Sequence, residues 1–229
     1  ELLARIDSPG LGGVIPPARF ITAAENHDLI DLLTFQLLER AVSEFCELQS
    51  TLQYPFTLAL NLSPVQLEDL SIPDKLDNMI SQFNIKPNQL VVEVTEEHAL
   101  ISSNQLETLN RLRIKGYGIS LDDFGTGFTN VNQLLNLPFS EVKIDRSLIT
   151  NIHTDRFSQV IVNSLAELSQ KMEIDLVAEG IETMEELQYF EQFDFHIFLQ
   201  GYIFTKPKPK IEFIRWYQSW KKARQEVQS

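Results

Sequence analysis

The chain has 229 residues, 43% of them hydrophobic and 22% charged, with a single cysteine, which suffices for one substantial globular domain and falls short of two. No run approaches the ~18 to 20 apolar residues of a membrane helix, nothing reads as a signal or transit peptide, and Cys46 alone excludes an internal disulfide framework or a cysteine zinc site. A reducing, cytoplasmic setting is the expectation. Nineteen Lys plus Arg against 32 Asp plus Glu give a net charge of −13, a field that argues against DNA and against membrane contact by this domain, since both polyanions are bound by neutralising phosphates.

Taken in chain order, residues 1–5 (ELLAR) read as a strand that opens on a carboxylate, and residues 32–48 as a helix in which Cys46 is a packing residue. Short, nearly continuous apolar runs follow at 57–61 (TLALN), 90–94 (LVVEV), 117–122 (YGISLD), 142–145 (VKID), 175–179 (DLVAE) and 197–200 (IFLQ). Runs of this kind read as strands buried on both faces, the mark of a parallel sheet. Between them lie amphipathic helices at 104–115, with Leu106, Leu109 and Leu112 at helical spacing and Gly116 as the expected C-cap, and at 156–171. A last helix over 211–229 sets Phe213, Ile214, Tyr217 and Trp220 on one side, suited to closing the outer layer.

Six of these runs end in a polar or charged group: Asn61, Glu93, Asp122 with Asp123, Asp145 beside Lys143, Glu179 and Gln200. Polar groups contributed singly by successive strands fit the C-terminal rim of a (β/α) barrel better than the one switch point of a doubly wound sheet. With residues 1–5 the count reaches seven strands, one short of eight. The expectation is one domain over 1–229, a modified TIM-type (β/α)8 barrel whose first strand and helix lie upstream of residue 1.

Glu1, Asn61, Glu93, Asp122, Asp123 and Glu179 offer hard oxygen ligands, whereas the four histidines show no paired ligand spacing. Such a set favours magnesium, manganese or calcium over zinc or copper. Adjacent aspartates can serve two ions, and paired ions ~3.5 to 4 Å apart are the standard device for in-line displacement at phosphorus. Lys143 would orient a water or balance developing charge. An Asp-Asp pair before Phe-Gly-Thr-Gly is also compatible with a plain turn, but several carboxylates at successive strand ends repel one another unless a cation is present.

The motifs ELL with Arg5, Asn61-Leu62-Ser63, Glu93-Val94-Thr95-Glu96, DDFGTG at 122–127, VKID at 142–145, AEGIET at 178–183 and QGYIFTKP at 200–207, in that order, resemble the EAL-domain family of cyclic di-GMP phosphodiesterases. The resemblance implies a barrel that converts cyclic di-GMP to linear 5′-pGpG with two magnesium or manganese ions; calcium, larger and looser in its geometry, is expected to inhibit. By position, Glu1, Asn61, Glu93 and Asp122 resemble the ligands of one metal, and Asp122 with Asp123 those of the second. Glu179 is similar to a glutamate with a general-base or metal-supporting role. Lys143 resembles the lysine that holds the catalytic water, Gln200 a glutamine that positions it, and Asp145 another site aspartate. Arg5 matches an arginine that meets a substrate phosphate, and Glu96 a glutamate bracing the loop after the paired aspartates. The family further implies a homodimer and fusion to regulatory domains. Departures are Leu2 for alanine, Phe128-Thr129-Asn130 for tyrosine and two serines, and Glu97 for serine, none of which removes a ligand. A catalytically inactive receptor or protein-interaction domain, and a metal phosphoesterase for another nucleotide, are the alternative readings. For the phosphodiesterase reading, the gathered carboxylates make productive binding of the anionic substrate depend on divalent metal.

Overall fold

The structure is a computed structural model and describes residues 1–11, 13–95, 102–126, 134 and 137–227. A short antiparallel hairpin, β1 (Ile6–Ser8) and β2 (Gly13–Ile15), precedes two helices, α1 (Pro17–Asn26) and α2 (Ile30–Leu52). Six parallel strands then form one sheet in strict chain order: β3 (Leu58–Asn61), β4 (Leu90–Thr95), β5 (Gly118–Phe124), β6 (Glu141–Ile144), β7 (Asp175–Ala178) and β8 (Phe198–Leu199). Each strand pairs only with its sequence neighbours, so every connection returns over the same face and the sheet curls into a half-barrel of the modified TIM type. The connecting helices are α3 (Pro64–Leu67), α4 (Ile72–Ser81), α5 (Ser103–Lys115), α6 (Arg146–Ile149), α7 (Arg156–Met172) and α8 (Met184–Tyr189).

Local signals explain these boundaries. Ser102 caps α5 reciprocally with Gln105, and Gly116 ends it with φ 98°, a left-handed angle that glycine adopts without a Cβ penalty. Asp155 accepts from the Phe157 N–H at the start of α7. A side-chain period of two then sorts each strand. Leu58 and Leu60, Val92 and Val94, Ile119 and Leu121, Val142 and Ile144, and Leu176 and Ala178 are all buried and share the helix-facing side, where they join one core with Leu38, Leu67, Leu76, Leu109 and Leu112. The opposite parity, carrying Asn61, Glu93, Asp122 and Lys143, faces the barrel interior.

Residues 1–5 are not a strand. The Leu2 N–H donates to the Ala59 carbonyl at 2.9 Å, one contact along β3, and the chain then turns into the β1–β2 hairpin, which their apolar pattern does not announce. The last helix, α9 (Lys210–Val227), covers α2: Phe213 and Tyr217 pack on Phe56 with ring centroids 5.9 and 5.7 Å away, and Lys210 pairs with Glu47. Among the described residues no helix is long and apolar enough to cross a membrane.

The loop after β8 passes so close to the loop after β7 that the Ile181 N–H meets the Gln200 carbonyl and the Ile203 N–H meets that of Ile181, each at 3.1 Å. A Cβ on Gly201 would lie 2.0 Å from the Ile181 oxygen, so only glycine fits. Gly201→Ala is expected to lower stability by about 1–3 kcal/mol, the usual cost of overpacking; an unchanged melting temperature would contradict this close approach.

Candidate metal centre

Parity places the site. Register alignment sets Asn61 beside Glu93 and Thr95 beside Asp122, so the polar ends of β3, β4 and β5 meet inside the barrel rim. Consecutive strand residues point to opposite faces, and a regular β5 would send Asp122 and Asp123 apart. The ladder between β5 and β6 slips between Leu121 and Phe124, and Asp123 takes the left-handed angle φ 57°, which aspartate tolerates better than most residues. This bulge brings both carboxylates to the same rim. Carboxylate oxygens of Glu1, Glu93 and Asp122 lie within 4.8 Å of one another, as do those of Asp122, Asp123 and Glu179. The two sets share Asp122.

Lys143 stands among them, 3% exposed. Its Nζ lies 2.8 Å from Glu93, 2.8 Å from Glu179, 3.1 Å from Asp122 and 4.0 Å from Glu1. The Asn61 side-chain amide donates to Glu93 at 3.0 Å and to Glu1 at 3.3 Å, and the Asp123 N–H donates to Asp122 at 3.0 Å. Burial pushes the Glu93 carboxyl up to about 7 against the pull of Lys143, with Glu1 and Asp122 adding repulsion. Burial raises Glu179 in the same way, also to about 7. Desolvation by itself would lower the Lys143 ammonium, but attraction to Glu93, Glu179, Asp122 and Glu1 holds it above its ordinary value.

These residues fit divalent cations. With all five carboxylates ionised, one ammonium leaves four negative charges in excess, which two divalent ions would neutralise. Moreover, Glu179 Oε1 is buried with no neutral donor and only the Lys143 ammonium, at 2.8 Å, against it among the described residues. Oxygen donors suit magnesium or manganese. Asn61 turns its NH2 toward the acids in this arrangement, so serving as an oxygen ligand requires its amide to present the other face.

The other sequence candidates stand apart. Among the described residues Arg5, Asp145 and Gln200 make no ion pair or hydrogen bond with this cluster. Arg5 is exposed and donates to its neighbour's carbonyl at Ala4, Asp145 caps α6 by accepting from the Ser147 N–H at 2.8 Å, and Gln200 is exposed at the end of β8. Glu96 and the segment 127–130 lie outside the described residues.

Braces around the rim are additions that motif reading missed. The Arg146 stem packs under Gly180, where φ is 73° and a Cβ would lie 2.5 Å from Arg146 Cγ, while its guanidinium pairs with Glu182 at 2.9 Å. Glu186, 4% exposed, accepts N–H groups from Glu182, Thr183 and Asn151 at 2.9, 3.1 and 3.1 Å, tying the loop that carries Glu179 to the one after α6. Burial alone would raise its carboxyl, but these donors hold it below the usual range. The Thr-x-x-Glu spacing of Thr183 and Glu186 is a capping-box signal that would have exposed it.

Known proteins share this arrangement's setting. The family model described as EAL domain matches residues 1–207. Cyclic di-GMP phosphodiesterase RocR of Pseudomonas aeruginosa is 35% identical over 216 residues, 93% of this chain and 54% of that protein. The chain thus spans about half the length of that curated relative. Among solved structures, a PaMucR phosphodiesterase in complex with c-di-GMP superposes with a TM-score of 0.81 at 30% identity, covering 91% of this chain and 84% of the other. A manganese and cy-diGMP complex of Klebsiella pneumoniae BlrP1 gives 0.74 at 28% identity, over 88% of this chain and half of that one.

Because Glu93 and Glu179 titrate from an ordinary 4.5 up to about 7 in the fold, the folded state binds more protons than the unfolded chain across that window. Their contribution to stability therefore falls as pH rises, while Lys143 stays charged in both states. The melting temperature in EDTA is expected to decline between about pH 5 and about pH 7.5, and the gain from excess manganese to grow over the same interval. A gain independent of pH would contradict the assignment of these carboxyls.

Proposed function

The chain belongs to the EAL-domain family, and from that membership we propose that it hydrolyses cyclic di-GMP to linear 5′-pGpG. The observation that carries this reading is the pair of carboxylate sets sharing Asp122 around Lys143, in a chain whose curated relatives include proteins named cyclic di-GMP phosphodiesterase. Glu1, Asn61, Glu93 and Asp122 would hold one magnesium or manganese ion, and Asp122, Asp123 and Glu179 the other. When bound, the ions supply charge neutralisation at the phosphate and activation of a water.

The side chains divide the remaining work. Lys143 never loses its proton near neutrality, so it acts as a donor and a fixed charge that orients the attacking water. Glu179, buried beside the Lys143 ammonium at 2.8 Å, would take the water's proton as the new O–P bond forms. The P–O3′ bond breaks in line, and a proton returns to the departing 3′ oxygen. Arg5, an exposed side chain, meets a substrate phosphate, and Gln200 and Asp145 border the substrate. Glu96 braces the loop after Asp123. Homodimerisation, attachment to a regulatory domain and a cytoplasmic location complete the proposal.

Incubation of the purified protein with cyclic di-GMP and manganese, followed by chromatography, is expected to yield pGpG, and calcium to suppress it. Binding without product would replace the enzyme by a receptor. Within the hydrolase reading, Lys143→Ala should lower kcat by about 10²- to 10³-fold, the range for losing one positioned hydrogen-bond donor, and Glu1→Ala or Asp122→Ala should reduce turnover to background. Full activity in either ligand variant would remove these residues from the site.

A further inference from the structure

Asn61 is the last residue of β3, and the ladder beyond it amounts to one bond, from the Leu62 N–H to the Glu93 carbonyl at 3.0 Å. Its side chain must nevertheless stay beside Glu1 and Glu93 for its amide oxygen to join them when the amide turns. The constraint comes from the turn that follows, through Gln66, which is 2% exposed. Gln66 Oε1 accepts the Ser63 N–H at 3.2 Å and the Thr34 hydroxyl at 3.3 Å, and its Nε2 donates to Asp31 at 2.8 Å. Asp31 is ion-paired with Lys75 at 3.0 Å, which also holds Asp69 at 2.7 Å. From the other sides, the Ser63 hydroxyl donates to Glu25 at 2.5 Å, and Gln105 donates to the Pro64 carbonyl at 3.2 Å. A buried amide with its acceptor and donor both engaged is rotationally fixed, and it fixes the backbone two residues from Asn61.

We propose that Gln66 is a positioning residue for Asn61, anchoring the end of β3 to α2 so that the first carboxylate set is presented as one oxygen site for a divalent ion. The proposal rests on the metal-dependent reading above. It is tested by metal binding, however, which can be measured whether or not the protein turns over cyclic di-GMP. Residues that orient a ligand without touching the metal typically change affinity ten- to a hundredfold when lost.

Manganese titration by calorimetry would be run on the wild type, on Gln66→Glu, and on the double variant Gln66→Glu with Asp31→Asn. The single change sets a carboxylate against Asp31 and is expected to weaken manganese binding at least about tenfold. The double change reverses the donor and the acceptor, keeps the net charge and leaves an amide oxygen for Lys75, so affinity should return to within about twofold of wild type. Wild-type affinity in Gln66→Glu, or no recovery in the double variant, would overturn the proposal. If Gln66→Glu fails to fold, Thr34→Val removes one of the three contacts and should weaken manganese binding more than it lowers the melting temperature. A loss confined to the melting temperature would make Gln66 merely structural. Should manganese binding follow this pattern while no pGpG forms, the hydrolase reading fails and the positioning role stands.

Discussion

One buried ammonium sets the terms for the rest of the molecule. Taking several carboxylates out of water beside one another is costly, and removing one partner of such a group leaves an uncompensated charge. Lys143 contacts three acids within 3.1 Å and lies within 4.0 Å of a fourth, so the interior rim can be acidic while the strands that build it stay paired. The compensation is partial, which is why Glu93 and Glu179 bind protons more readily than ordinary glutamates. That incomplete balance is what gives the site its appetite for further positive charge.

Around this centre the sheet divides its labour by parity. Apolar residues of β3 to β7 face the helices and supply cohesion, while the alternate positions carry the chemistry inward. Rigidity at the rim comes from polar braces placed where strands end: Gln66 after β3, Arg146 and Glu186 across the loops following β6 and β7, and the backbone approach at Gly201 after β8. Gln66, Glu186 and the approach at Gly201 satisfy backbone groups that the ladder no longer reaches, while Arg146 packs under Gly180 and pairs with Glu182.

Much of this was legible in the chain itself, for identifiable reasons. Parallel strands buried on both faces leave near-continuous apolar runs, so β3 to β8 and the polar groups at their ends could be read directly. Residues 1–5 misled because strand-like alternation reports burial and not pairing, and one hydrogen bond to β3 does not make a strand. Lys143 read as a rim residue orienting a water, whereas its depth follows from β4, β5 and β7 closing around it, which is a three-dimensional fact. The Gln66 brace had a local signal, Ser63-Pro64-x-Gln66, but its purpose emerges only when α2 packs alongside. Arg5 came from motif position alone, Asp145 and Gln200 also from their places at strand ends, and none of the three side chains joins the carboxylate cluster among the described residues.

The slip in β5 bears on how this domain can vary over time. Asp122 and Asp123 share the rim only because one residue is left over against β6 at that point. Deleting a residue between Gly118 and Asp122 would exchange the interior and exterior sets along the strand, and restoring regular pairing would turn one aspartate into the core. Drift in this strand is therefore confined to identity and closed to length: Ile119 and Leu121 can trade for other apolar residues, while the spacing from Gly118 to the paired acids must be inherited unchanged.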